Sequence, residues 1–214
     1  GGILNANGPT FSGTITTESG STINASGTNS FNGKSAFTNA EGANFNVESG
    51  ETTFSSGLTN NGTFTNKGGA TISAKTLTNS GTINAELDST FSGAGAITNQ
   101  TNGAINAKGA TFGNTITNQS GGKITAESGN NTFEKKITNS NGATFEVKSG
   151  ANVKLDKDDN GKNGSLENSG TLIAESGSSF SGAGAITNKG TINAKGATFG
   201  TTITTNANST ISAS

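Results

Sequence analysis

The sequence predicts an all-β fold: a single-stranded, right-handed, three-sided parallel β-helix (β-solenoid) of about ten coils. Three observations predict it. Large apolar residues recur in a three-beat pattern with a period of about 21 residues, the signature of a coil winding on itself. The second beat is followed by the third after six or eight residues and never seven. Between the beats the chain is mostly Gly, Asn, Thr and Ser, the residues of short strands and tight turns.

The first beat is Phe11, Phe31, Phe54, Ile72, Phe91, Phe112, Phe133, Val153, Phe180 and Phe199. The second is Ile15, Phe37, Leu58, Leu77, Ile97, Ile116, Ile137, Leu166, Ile186 and Ile203. The third is Ile23, Phe45, Phe64, Ile83, Ile105, Ile124, Phe145, Leu172, Ile192 and Ile211. All thirty slots hold Phe, Ile, Leu or Val, and no Phe lies outside them. Strand side chains alternate with period two, so an even change of spacing keeps the next apolar residue facing inward. Thr82-Ile83-Asn84-Ala85 and Thr191-Ile192-Asn193-Ala194 show the alternation directly: Ile and Ala in, Thr and Asn out. Every slot is expected to be buried, in three stacked columns along residues 4–213. The crossover rule for parallel strands makes the wrap right-handed. Ten coils at about 4.7–4.9 Å each give a rod of roughly 50 Å. Residues 1–214 are expected to form one solenoid domain with an inserted charged loop at 156–165.

Only 28% of residues are hydrophobic, and glycine numbers 33. Such a composition resembles a disordered chain, yet the few apolar residues are placed without error. Burying thirty of them at about 1.5–3 kcal/mol each offsets much of the ordering entropy. No run has 3.6-residue periodicity, and Gly, Asn and Thr are poor helix formers.

Asn39, Asn60, Asn79, Asn99, Asn118, Asn139, Asn168 and Asn188 recur two residues past the second beat in eight successive coils. This places them inside, at a strand's end. A stack of amides there is expected to hydrogen-bond along the rod while tolerating the left-handed backbone of a turn.

Function is limited by what is missing. The chain has no His, Cys, Met, Trp, Tyr or Arg. Thiol catalysis, a Ser-His-Asp triad and ordinary zinc sites are thereby excluded. The acidic residues, 14 in all, are mostly single Glu at turns, with no carboxylate pair suited to glycoside hydrolysis; the chain is expected not to be an enzyme. A net charge of −1 and the absence of a basic stripe or surface aromatics argue against nucleic-acid binding. No segment approaches the 18 or so apolar residues that span a membrane.

One place breaks the rhythm. The step from Val153 to Leu166 carries the run Asp156-Lys157-Asp158-Asp159-Asn160-Gly161-Lys162-Asn163-Gly164-Ser165. With Glu167 it satisfies D-x-D-x-N-G-x5-E, a calcium-loop pattern. Asp156, Asp158 and Asn160 would give side-chain oxygens, Lys162 its carbonyl and Glu167 a bidentate carboxylate, the hard oxygen set that calcium takes. Flanking strands instead of helices, and Asn163 in place of an aliphatic residue, depart from that pattern. The alternative is a solvated charged bulge.

Block copying is visible: FSGAGAITN stands at 91–99 and 180–188, and INAKGATFG at 105–113 and 192–200. Runs of the kind Ile-Thr-Asn-Lys-Gly-Thr-Ile-Asn-Ala, at 186–194 and with a two-residue insertion at 97–107, resemble the passenger domains of Gram-negative autotransporters. They are also similar to two-partner-secretion adhesins of the filamentous-haemagglutinin type. The resemblance implies a secreted or surface-displayed bacterial β-helix, extracellular, with a structural or adhesive role as shaft or fibre subunit. An ice-binding solenoid is the rival class, since Thr14/Thr16, Thr76/Thr78, Thr115/Thr117 and Thr202/Thr204 form Thr-x-Thr pairs on one face. That array is interrupted by Ala36, Gly57, Ala96, Lys136, Ala185 and Glu167. The chain opens and closes on a third beat, at Leu4-Asn5-Ala6 and Ile211-Ser212-Ala213. Either a longer solenoid or a head-to-tail homo-oligomer would therefore continue the ladder in phase.

Overall fold

Three parallel sheets run the length of the molecule, one for each beat. The computed structural model describes residues 1–93 and 95–213. The third-beat sheet has eleven strands, from Ile3–Asn7 to Thr210–Ala213. The first-beat sheet has ten, from Thr10–Phe11 to Thr198–Phe199. The second-beat sheet has nine, from Phe37–Asn39 to Thr202–Thr205, extended downward by a single bridge between Thr16 and Thr38. Each strand pairs only with its equivalents in the coils above and below, so the chain is a β-solenoid of about ten turns. Among the described residues no helix is long and apolar enough to cross a membrane.

Second- and third-beat slots stack in register throughout. Ile97, Ile116 and Ile137 pair in succession, as do Ile83, Ile105 and Ile124. Fully buried Phe45, Phe54, Phe64, Phe112 and Phe145 fill the interior, and inward Ala25, Ala85, Ala107, Ala126 and Ala174 keep the narrow corners tight. The end coils differ from expectation. Phe11, Ile15, Phe199 and Ile203 are only half-buried and Ile211 is 45% exposed. A slot is covered from above and below by neighbouring coils, and the end coils have a neighbour on one side only.

The first-beat column holds a second departure. Phe54 pairs with Ala74, so that Ile72 lies against Thr52; four coils later Phe133 pairs with Leu155, and Val153 lies against Asn131. A slip of two residues leaves every side chain on its own face. It divides the column into groups: Phe11, Phe31 and Phe54 stack at 4.9 and 5.1 Å between centroids, Phe91, Phe112 and Phe133 at 5.1 and 5.0 Å, and Phe180 and Phe199 at 5.0 Å. Each group begins with the same Phe-Ser-Gly, at Phe11, Phe91 and Phe180. The unit of repetition is therefore four coils.

Outside, at the corner that follows the third-beat strands, eight residues form a column: Glu48, Lys67, Glu86, Lys108, Glu127, Lys148, Glu175 and Lys195. Each follows an inward residue in the paired series Val47, Asn66, Ala85, Ala107, Ala126, Val147, Ala174 and Ala194. The charges alternate in sign at every step. Lys67 meets Glu48 at 2.6 Å, Lys108 meets Glu86 at 3.1 Å and Glu127 at 3.7 Å, and Lys195 meets Glu175 at 3.0 Å. Each exposed pair is worth about 0.2–1 kcal/mol, and a slip by one coil would set like charge on like. Glu86→Lys, which stacks three lysines, should lower the urea midpoint in low salt by the equivalent of about 1–2 kcal/mol. Most of that loss should vanish in about 1 M salt.

Candidate functional site

The amide ladder is internal. Asn39, Asn60, Asn79, Asn99, Asn118, Asn139, Asn168 and Asn188 are each 0% exposed. Every Nδ2 up to Asn168 donates to the Oδ1 of the next, at 2.7–2.9 Å. Each Nδ2 donates also to a backbone carbonyl of the next coil's third-beat strand, for example Asn118 to Thr144 at 3.0 Å and Asn139 to Thr171 at 3.1 Å. The ladder thus ties two sheets at their shared corner, and its lower end is capped by Thr17, whose Oγ1 donates to Asn39 Oδ1 at 3.3 Å. None of the ladder asparagines has a left-handed backbone; among the described non-glycine residues that conformation belongs to Asp88, Asn102 and Asn208. They are strand residues, and the turns after them are made by glycines in close quarters. A Cβ on Gly122 would lie 2.6 Å from Asn118 Oδ1. With its polar atoms spent on one another, the ladder is structural.

The inserted segment has secondary structure of its own. It is a small hairpin in which Lys157 and Asn163 form an antiparallel bridge and Asp158 N donates to Lys162 O at 2.9 Å. Asp158 Oδ1 closes its turn by accepting from Asn160 N at 3.0 Å and Lys162 N at 2.9 Å. Asn163 Nδ2 fastens the hairpin to the following coil through Ala183 O at 2.9 Å.

This arrangement scatters the five calcium-loop residues. Asp156 pairs with Lys154 at 2.5 Å and accepts from Lys157 N at 2.9 Å. Asp158 orders the turn, Asn160 is exposed, and the Lys162 carbonyl is taken by Asp158 N. Glu167 stands on the outer face of strand Ser165–Asn168, clasped by Lys136 and Lys189. Among the described residues no three carboxylate, His or Cys side chains come close enough together to hold a metal ion. Calcium coordination by all five would require Glu167 to leave both lysines and the hairpin to open. Calorimetric titration with calcium at about millimolar concentration decides between the two readings: a single weak site abolished by Asp158→Ala would establish the calcium loop, and no heat would leave the solvated hairpin.

Hydrogen bonds from Lys136 and Lys189 hold the Glu167 carboxyl down at about 2, against the opposing effect of burial. A depressed carboxyl contributes stability above its ordinary range and loses it as pH falls from about 4.5 toward about 2. Glu134 goes the other way: burial first, then the charges of Asp159, Asp156 and Asp158, push it up. Its contribution therefore weakens as pH rises through its raised value. The urea midpoint of Glu167→Gln should fall below the parent's at pH 7 and converge with it near about pH 2.

Folding the hairpin back over earlier coils encloses a groove. Its wider part, about 310 Å³, is lined by Lys135, Lys136 and Lys162 together with Thr115 and Ser165. Its narrower part, about 150 Å³, is lined by Glu134, Asp158 and Asp159 with Gly93 and Gly113. Glu134, Lys135 and Asp158 border both. The sequence announced the insertion, but Glu134 and Lys135 carry no motif and are brought to it only by the coil geometry.

The outward column of the second-beat sheet is Thr at Thr16, Thr38, Thr59, Thr78, Thr98, Thr117 and Thr138, paired coil to coil. Glu167 breaks it before Thr187 and Thr204, and the Lys136–Glu167–Lys189 cluster sits across the face.

The geometry defines the class: a three-sided parallel β-solenoid with one decorated coil. No protein-family model matches the chain. No curated protein matches it either. Among solved structures it is similar to a TibC-catalysed, hyper-glycosylated TibA55-350 fragment, with a TM-score of 0.37 and 16% identity over 98% of this chain and 94% of that one. At that score and identity the likeness assigns no function to this chain.

Proposed function

We propose that this chain is a non-catalytic structural or adhesive rod, displayed outside the bacterial cell as an adhesin shaft or fibre segment. The observation that carries the proposal is the division of labour between inside and outside. The interior is closed by stacked Phe, Ile and Leu and by an unbroken amide ladder. The outside is a regular polar surface with alternating charge. Such a molecule resists bending and slipping, and leaves recognition to its faces. The absence of cysteine and the sequence resemblance support export to the cell surface. The proposal includes head-to-tail stacking of copies. Ile3 and Leu4 at one end and Ile211 at the other are exposed, and strands Ile3–Asn7 and Thr210–Ala213 each have one unpaired edge. Negative-stain microscopy of the purified protein at rising concentration tests the self-assembly arm. Filaments one coil wide would establish stacking of copies; dispersed rods of roughly 50 Å at every concentration would rule it out.

The rival ice-binding reading draws on the Thr column, seven rungs long before Glu167. The charged cluster across that face weighs against it. Thermal hysteresis is expected to be absent, and a clear freezing gap abolished by Thr98→Lys would favour the rival.

A further inference from the structure

We propose that the groove under the 156–164 hairpin binds a small zwitterionic ligand, such as an amino acid or short peptide. Its carboxylate would lie at the lysine end and its ammonium at the carboxylate end. This site would exist whatever surface the rod serves.

The hairpin is not needed for the wrap. In the four-coil unit, the coil of Ile72 is the counterpart of the coil of Val153, and there Ala74-Lys75-Thr76 turns the same corner with no insertion. Insertions in repeat proteins map to loops on one face, often the binding face. Here the added segment is also held in place, by its own turn and by the Asn163–Ala183 bond, so the groove has a fixed far wall.

Charge separation along the groove defines the ligand. Lys135 and Lys162 enter no salt bridge among the described residues, and neither do Glu134, Asp158 and Asp159. Lys136 and Lys162 border only the wider part and Asp159 only the narrower, with Glu134, Lys135 and Asp158 between them, so the balance of charge shifts from positive to negative along the groove. Glu134 leans across Gly113, where a Cβ would meet its Oε2 at 3.1 Å. A side chain at residue 113 would press on the carboxylate end. Burial first, then the charges of Asp159, Asp156 and Asp158, hold the Glu134 carboxyl above its ordinary value, and an ammonium beside it would offset that charge. The wider part is at the small end of ligand pockets, about 300–1,000 Å³. An extended tripeptide of about 10 Å could lie across both parts.

The test is a titration of the full chain with triglycine in low salt, followed by amide chemical shifts. Two blocked probes run beside it: N-acetyl-triglycine, which lacks the ammonium, and triglycine amide, which lacks the carboxylate. Saturable shifts at Gly113, Glu134–Lys136 and Asp158–Lys162 are expected, with either blocked probe weaker by about tenfold or more. Lys162→Ala and Asp159→Ala, both at exposed hairpin positions, should each weaken triglycine by a similar factor. Deleting 157–164, which restores the plain corner, should abolish the shifts and leave the melting transition in place. No saturable shift, equal binding of the blocked probes, or shifts that survive Lys162→Ala and Asp159→Ala unchanged would overturn the proposal.

Discussion

Ile116→Asp is expected to unfold the central coils. Ile116 is 1% exposed and stacked between Ile97 and Ile137. The substitution removes about 2–3 kcal/mol of apolar burial and puts a carboxyl where no donor exists, at about 2–7 kcal/mol even when protonated. The sum is comparable to the whole stability of a domain, about 5–15 kcal/mol. Because each coil touches only its neighbours, the damage should be local. Amide exchange should become fast over roughly residues 90–145 while the end coils keep part of their protection. A protein that melts as the parent does would mean that residue 116 is not inside.

Asn118→Leu should have the second largest effect, despite replacing a polar residue by an apolar one in the interior. Asn118 accepts from Asn99 at 2.8 Å and donates to Asn139 Oδ1 at 2.9 Å, to Gly122 O at 3.2 Å and to Thr144 O at 3.0 Å. Leucine leaves those buried partners unmatched at about 1–3 kcal/mol each for the ones that water cannot reach. A loss of about 3–6 kcal/mol is expected, measured by urea unfolding. Asn188→Leu should lose less, since no asparagine follows it in the ladder and its place in the next coil is Thr205.

The register of the second- and third-beat columns was legible in the sequence, because their slots lie six or eight residues apart in every coil and each amide follows its slot by two; the partial exposure of Ile15, Ile203 and Ile211 was not, because the pattern does not mark an end coil. The first-beat column was legible as a face but not as a register. Thr52 and Phe54 both point inward on one strand, as do Ile72 and Ala74 on the next, and period-two alternation cannot choose between pairings two residues apart. The charge column was hidden for a related reason. Steps between its members vary from corner to corner, so Glu48 through Lys195 look like scattered turn residues until the strands are paired. The hairpin was legible as an insertion, but not in its internal bonding. An Asp that can ligate a metal can equally cap a turn from two backbone amides, and Asp158 does the latter. Glu134 and Lys135 became part of the groove only because the coil carrying Phe133 lies beneath the one carrying the insertion.

The central claim is that sequence distance converts to axial distance one coil at a time. Spin labels on the outward threonines of the second-beat sheet test it directly. Pairs at Thr38 and Thr98, Thr38 and Thr138, and Thr38 and Thr204 are three, five and eight coils apart. Pulsed dipolar spectroscopy should return backbone separations of about 14, 24 and 38 Å, rising by about 4.8 Å per coil. Narrow distributions on that line are expected. Distances that fail to grow with coil number, or that spread as in a disordered chain, would contradict the solenoid.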